Sequence, residues 1–210
     1  MIKSGRAFRK FRDCVQTLVD DGGTIADLGT PQKYHKALRP FETILSSCDY
    51  RAYGYAPEFK HGRYNCDGHQ DIMNLTFEDE SIDAVICLDV LEHVENPFTA
   101  AANISRIVRP GGKILISYPF LWGYHGKAGS DPSHAAYPDH WRVTHTGLAN
   151  LFPDFREKDI WAEDGPIEFR MRLIFPRWFL HATPVRTLVD WVDRPALGRQ
   201  TSRHIMLATK

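Results

Sequence analysis

Hydrophobic and polar positions change period several times along the chain, and each change marks an element. Phe8, Phe11, Val15, Leu18 and Val19 recur at helical spacing among Arg6, Arg9, Lys10 and Arg12, which predicts a helix over residues 5–20. Asp21-Gly-Gly23 ends it, and Thr24-Ile-Ala-Asp-Leu-Gly29 reads as a short strand running into a turn. Residues 50–56 form a second strand, a shorter third lies within 66–71, and 82–88 is the fourth. Pro97 suits the first turn of a helix, where its missing N–H is not needed. Phe98, Ala101, Ile104, Ser105 and Val108 then trace one face until Pro110-Gly-Gly112 stops it. In the fifth strand, 113–118, Ile114, Leu115 and Ile116 are consecutive, as expected of a strand covered on both faces. Thr144 caps a short helix to Leu151, and 155–161 is a sixth strand. Thr183-Pro184 opens a helix with Val185, Leu188, Val189 and Val192 on one face, and 203–209 is a last strand.

Strands alternating with helices through right-handed crossovers predict an α/β fold, a doubly wound parallel sheet. Its order should reverse between the first and fourth strands. The turn after Leu28, the end of the second strand, Asp71-Ile72 and the turn at Asp89 then surround one crevice, where such sheets bind ligands. A nucleoside-like ligand suits it. No internal repeat interrupts the pattern, and residues 1–210 read as one domain. Within it, 1–21 hold the N-terminal helix, while 120–143 and 163–200 are lid or substrate segments. The first helix is expected to lie over the sheet; a substrate lid or a membrane-surface helix is the alternative.

Composition narrows the class. Lys and Arg number 26, as do Asp and Glu, so the net charge is zero and a nucleic-acid partner is not expected. Cys14, Cys48, Cys66 and Cys87 show neither CxxC pairing nor zinc-type spacing and read as free thiols in a reducing compartment. No apolar run is long enough to span a bilayer, and the basic N-terminus lacks the apolar centre of a signal peptide. A cytoplasmic protein is expected.

Residues 120–143 carry no periodicity but many aromatic, histidine and glycine positions. A loop of that length is functional or disordered, and its aromatic content argues against disorder. Trp122, Tyr124 and Trp141 either pack a lid or stack on a substrate. His125, His134 and His140 are candidate general bases, and Arg142 would fix a carboxylate or phosphate. A metal would need several of His125, His134, His140, His145, Asp131 and Asp139 to converge. Their spacings match no compact ligand motif, so no metal site is expected. Glu92-His93 reads as part of an exposed turn, with His93 either a helix-entry hydrogen bonder or a base behind the loop histidines.

Four runs carry a family likeness: Asp71-Ile-Met-Asn-Leu-Thr-Phe77, Ser81-Ile-Asp-Ala-Val-Ile-Cys87, Val90-Leu-Glu-His-Val-Glu-Asn-Pro97 and Arg106-Ile-Val-Arg-Pro-Gly-Gly112. Together they resemble the class I S-adenosylmethionine-dependent methyltransferases, especially the small-domain type with a Glu-His-Val turn. The likeness covers residues 22–152 and includes Pro138-Asp139-His140-Trp141-Arg142-Val143-Thr144 with Gly147-Leu148. It implies a mostly parallel seven-stranded sheet with the last strand antiparallel, and S-adenosylmethionine as cofactor. It also implies methyl transfer to an O or N of a small molecule, glycan or secondary metabolite. By the same resemblance Asp71 and Ile72 flank the adenine, and Leu88-Asp89 lies beside the cofactor.

The first loop departs from the family pattern Asp-x-Gly-x-Gly. Asp27-Leu-Gly29 is followed by Thr30-Pro31-Gln32-Lys33-Tyr34, so Asp27 and Gly29 remain as cofactor candidates without the later glycine. The acidic residue expected after the second strand falls on Ala56, and Glu58 reaches a ribose only if its loop curls inward. These departures open a second reading, a non-catalytic relative kept as a binding or partner subunit. A nucleotide-dependent oxidoreductase is disfavoured, since the same turn lacks G-x-G-x-x-G.

Overall fold

The computed structural model describes residues 5–30, 32–35, 37–55, 65–126, 138–174, 183–193 and 200–210. Among these, β1 (Thr24–Leu28), β2 (Asp49–Gly54), β3 (Gly68–His69), β4 (Ile82–Leu88), β5 (Val108–Pro119), β6 (Asp159–Ala162) and β7 (Arg203–Thr209) form one sheet. Their order is β3-β2-β1-β4-β5-β7-β6. Strands β1 to β5 pair in parallel, and β7 runs antiparallel to both β5 and β6. The helices are α1 (Gly5–Asp20), α2 (Glu42–Leu45, entered through a 3-10 turn), α3 (Pro97–Ile107), α4 (His145–Leu151), α5 (Pro166–Ile174) and α6 (Thr183–Val192).

Period-2 alternation sends each central strand's side chains into two apolar layers. Val85, Cys87, Ile114 and Ile116 join Ala101, Ile104, Leu148 and Phe152 on the α3–α4 side. Ala84, Ile86 and Leu115 join Phe11, Val15, Leu18 and Phe41 on the α1–α2 side. The three consecutive apolar residues of β5 are thus divided between both layers. Helix α1 buries Phe11, Cys14, Val15 and Leu18 there, and Phe8 stacks on Phe41 with centroids 5.3 Å apart. Each large buried side chain contributes about 1.5–3 kcal/mol. Helix α1 therefore covers the sheet, as expected. No helix among the described residues is long and apolar enough to cross a membrane.

Helix α3 begins as expected. Asn96 accepts from the Phe98 and Thr99 N–H groups at 3.0 and 3.2 Å, and Pro97 fills the first turn. Its end differs from expectation. Val108 is already extended (φ −76°, ψ 128°), and Pro110-Gly-Gly112 lies inside β5 as a bulge instead of separating helix from strand. The register slips between Ile82↔Val108 and Ala84↔Lys113, which accommodates a proline without an N–H. Gly112 is required there, since a Cβ would come 2.7 Å from the Asp83 carbonyl oxygen.

Strand β6 starts later than residue 155. Phe155 is held in a turn by its N–H to the Phe152 carbonyl (3.2 Å) and packs edge-on against the Phe152 ring, so pairing begins at Asp159. Helix α5, which the sequence pattern did not reveal, is capped from a distance: Asp193 accepts from the Ile167 and Glu168 N–H groups at 3.2 and 2.7 Å.

Candidate active site

The sheet order reverses between β1 and β4, and the carboxyl ends of β1, β2 and β4 meet there. Gly29, just past β1, takes φ +77°, and a Cβ on it would lie 2.5 Å from Val90. The turn after β1 therefore packs directly on the turn after β4. The N–H groups of Gly29 and Thr30 both donate to the Tyr53 carbonyl, at 2.9 and 3.1 Å, which ties this loop to β2. Thr30 is buried, and its hydroxyl donates to the Gln32 carbonyl at 2.8 Å.

Asp27 faces the α1–α2 layer. Its carboxylate accepts from the buried Tyr50 hydroxyl at 2.5 Å, and Tyr34 stacks on Tyr50. Burial pushes its carboxyl up to about 7, with the Tyr50 hydrogen bond pulling the other way. Asp71 is half-buried and accepts from the Met73 N–H (2.9 Å). Ile72 is buried, and Asn103 of α3 donates to the Ile72 and Met73 carbonyls at 3.3 and 2.8 Å, fixing that turn. Leu88 is half-buried at the end of β4. Asp89 sits in the left-handed region at φ 55°, accepts from the Ser117 hydroxyl (2.7 Å) and pairs with Arg203. Arg203 also contacts Glu163 at 2.7 Å, so one guanidinium offsets two acids. Glu58 and His134 lie outside the described residues.

The Glu92-His93 turn is not exposed as expected: Glu92 is 0% exposed. Residues 138–141 fold over it. His140 and Trp141 donate their backbone N–H groups to the Glu92 carbonyl (2.8 and 3.3 Å), and the Trp141 indole N–H donates to the Val94 carbonyl (3.0 Å). Neither Glu92 carboxylate oxygen has a hydrogen-bond partner among the described residues. Its neighbours are two imidazoles, with His125 Nε2 3.5 Å and His93 Nε2 3.7 Å from Oε1. Those distances are electrostatic contacts, longer than formed hydrogen bonds. The two rings meet edge to face, with centroids 5.0 Å apart. Burial pushes the Glu92 carboxyl above its ordinary value while His125 pulls it back, and Glu92 in turn raises His125.

Behind His125 stands Asp139. Its Oδ2 lies 3.1 Å from His125 Nδ1 and accepts the His125 backbone N–H at 2.8 Å. Arg142 grips Asp139 through both terminal nitrogens, at 2.5 and 2.6 Å, and holds that carboxyl well below its usual range. The same guanidinium donates to the carbonyls of Trp122 (3.0 Å) and Gly123 (3.1 Å). It thus clamps 122–125 to 139–142, with these donors turned inward. Trp122 is half-buried, Trp141 is 41% exposed, and Tyr124 and His140 are exposed. The structure brings His93 and His125 together around Glu92; His140 joins them through its backbone N–H. Glu92 as the centre, and Asp139 as support, were missed. The apolar neighbours Val90, Leu91 and Val94 were the one signal of burial.

Residues 51–116 match a family model described as Methyltransferase domain. Over that segment the chain is similar to the methyltransferase family, and its fold is that of S-adenosylmethionine-dependent methyltransferases. Over 132 residues it is 30% identical to an uncharacterized methyltransferase of Mycobacterium marinum, covering 57% of this chain and 52% of that relative. Over 54 residues it is 37% identical to a ubiquinone biosynthesis O-methyltransferase of Coxiella burnetii, covering 26% of this chain and 22% of that relative. The chain thus spans about half the length of the first of these relatives and less of the second. Its fold is similar to that of a SAM-dependent methyltransferase from Archaeoglobus fulgidus, with TM-score 0.58, 14% identity and coverage of 97% and 92% of the two chains. The doubly wound, mostly parallel sheet with its last strand antiparallel is the one this methyltransferase family was expected to have. The residues fit the family's cofactor unevenly. Ile72 and Leu88, flanked by Asp71 and Asp89 at the reversal point, suit an adenosyl group. The Gly29 and Thr30 N–H groups, both bonded to Tyr53, do not face a ligand's charged end.

Proposed function

We propose that this chain transfers a methyl group from S-adenosylmethionine to an O or N of a small molecule, glycan or secondary metabolite. The observation that carries the reading is the contact of Gly29 with Val90. It joins the turn after β1 to the turn that leads, two residues later, into the Glu92–His93–His125 cluster. Cofactor side and acceptor side are then two ends of one wall. S-adenosylmethionine, when bound, supplies a methyl group already activated on a sulfonium sulfur. Asp71 and Ile72 would hold the adenosine end, with Leu88 as apolar wall and Asp89 beside it. Holding an acceptor in line is most of the remaining work, worth on the order of 7–11 kcal/mol in the best intramolecular models. His125, with His93 beside it and its Nε2 toward the buried Glu92, would act as the base that receives the acceptor's proton. The exposed rings of Tyr124 and Trp141 are the acceptor-side surfaces. Kinship with an O-methyltransferase of ubiquinone biosynthesis supports an oxygen acceptor.

A second reading, a non-catalytic relative serving as a binding subunit, is favoured by the Gly29 and Thr30 N–H groups bonded to Tyr53 and by Asp27 bonded to Tyr50. Calorimetric titration with S-adenosylmethionine and S-adenosylhomocysteine separates the two. Binding tighter than about 100 μM, ~5.5 kcal/mol, supports the enzyme. No heat and no thermal shift at millimolar ligand leaves the binding subunit standing.

A further inference from the structure

We propose that Glu92, His93 and His125 form a site for a divalent cation of the zinc type, with one position open to an oxygen of the methyl acceptor. One Glu92 carboxylate oxygen and one nitrogen of each histidine lie within 4.8 Å of one another. The two Nε2 atoms stand 3.7 and 3.5 Å from Oε1. A tetrahedral zinc ion with N and O ligands at about 2.0–2.2 Å spaces its ligands about 3.3–3.6 Å apart. Both carboxylate–imidazole separations lie within a few tenths of an ångström of that spacing, and the two imidazole nitrogens are within 4.8 Å of each other.

Three further observations point the same way. Glu92 is 0% exposed and, among the described residues, neither of its oxygens has a hydrogen-bond donor, an arrangement that is costly unless a cation satisfies it. Both imidazoles are oriented from behind. His93 Nδ1 lies 2.6 Å from the Pro138 carbonyl oxygen, which makes Nδ1 the protonated nitrogen and leaves the Nε2 lone pair toward Glu92. His125 Nδ1 lies 3.1 Å from Asp139, itself locked by Arg142, and 3.3 Å from the Gly123 carbonyl. A carbonyl or carboxylate behind each ligating histidine is the usual outer support of a metal site. Finally, two imidazoles and one carboxylate suit zinc, cobalt or iron(II) rather than magnesium or calcium, which take mostly oxygen. Three protein ligands leave a coordination position for a small oxygen ligand.

The acceptor role rests on the methyltransferase reading; the site itself does not. With the cation present the histidine nitrogens act as ligands. An acceptor hydroxyl bound in the open position is then acidified and loses its proton to water.

The test uses the full chain without an affinity tag, stripped with chelator and dialysed. It is titrated with Zn²⁺ and Co²⁺ alone, by calorimetry and by the visible absorption of Co²⁺. One equivalent per chain is expected. Glu92→Gln keeps the side-chain size and removes a buried charge, and it and His125→Ala should each weaken binding ~100-fold or more. If one variant fails to fold by circular dichroism, the other decides. S-adenosylhomocysteine is titrated into the same samples. No metal binding, or binding that both variants leave unchanged, overturns the site even where S-adenosylhomocysteine binds. Metal binding without S-adenosylhomocysteine binding supports the site and overturns the acceptor role.

Discussion

Gly29 and Asp27 sit two positions apart in the same turn and answer to different physics. Gly29 needs φ +77° and has Val90 2.5 Å from where a Cβ would stand. Gly29→Ala should therefore lower stability in urea unfolding by about 1–3 kcal/mol, and weaken S-adenosylhomocysteine binding in calorimetry. Asp27 was legible as a strand-end acid, but not the layer it would face. Alternation groups it with Ile25 and against Ala26 and Leu28, and the helix packed on that side decides its partner. Its carboxyl titrates at about 7 when folded, against an ordinary value near 4 when unfolded. Between those limits the folded state holds one proton more than the unfolded state, so stability falls as pH rises. The contribution is complete below about 4 and gone above about 7. Asp27→Asn should lose that slope. Thermal melts of both proteins from pH 4 to 8 check it: a difference that does not vary with pH would mean Asp27 is ionised in the folded state.

The elements follow local rules where local rules are decisive. The α3 start was readable because Asn96-Pro97 combines a capping side chain with a proline that needs no donor. Pro110-Gly-Gly112 misled because the same residues serve a turn or a bulge, and only the β4 partner makes them a strand. The covering segment 138–142 depends on Arg142, which joins Asp139 to the Trp122 and Gly123 carbonyls. Arg142→Gln should free it. Amide exchange at His140 and Trp141, whose N–H groups donate to the Glu92 carbonyl, should quicken about tenfold, ~1.4 kcal/mol of local stability. Exchange within α3 should stay as it was. Unchanged rates at His140 and Trp141 would show that the clamp does not hold the segment down.

For the molecule as a whole, a ligand that binds only the folded state at one hundred times its Kd adds ~2.7 kcal/mol. In a chain of 210 residues S-adenosylhomocysteine should then raise the melting temperature by roughly 5–10 °C, read by calorimetric scanning. The architecture behind that expectation was present in the order of apolar runs. Periodicity, caps and turn residues act over a few positions, so fold class and the reversal between β1 and β4 could be read directly. The site's electrostatics could not. His93 meets the Pro138 carbonyl 45 residues away, and Asp89 meets Arg203 114 residues away. Spacing along the chain carries no record of such meetings. Whether Glu92 is a solvated turn acid or a buried charge between two imidazoles depends on which distant segment closes over it, and only packing in three dimensions settles that.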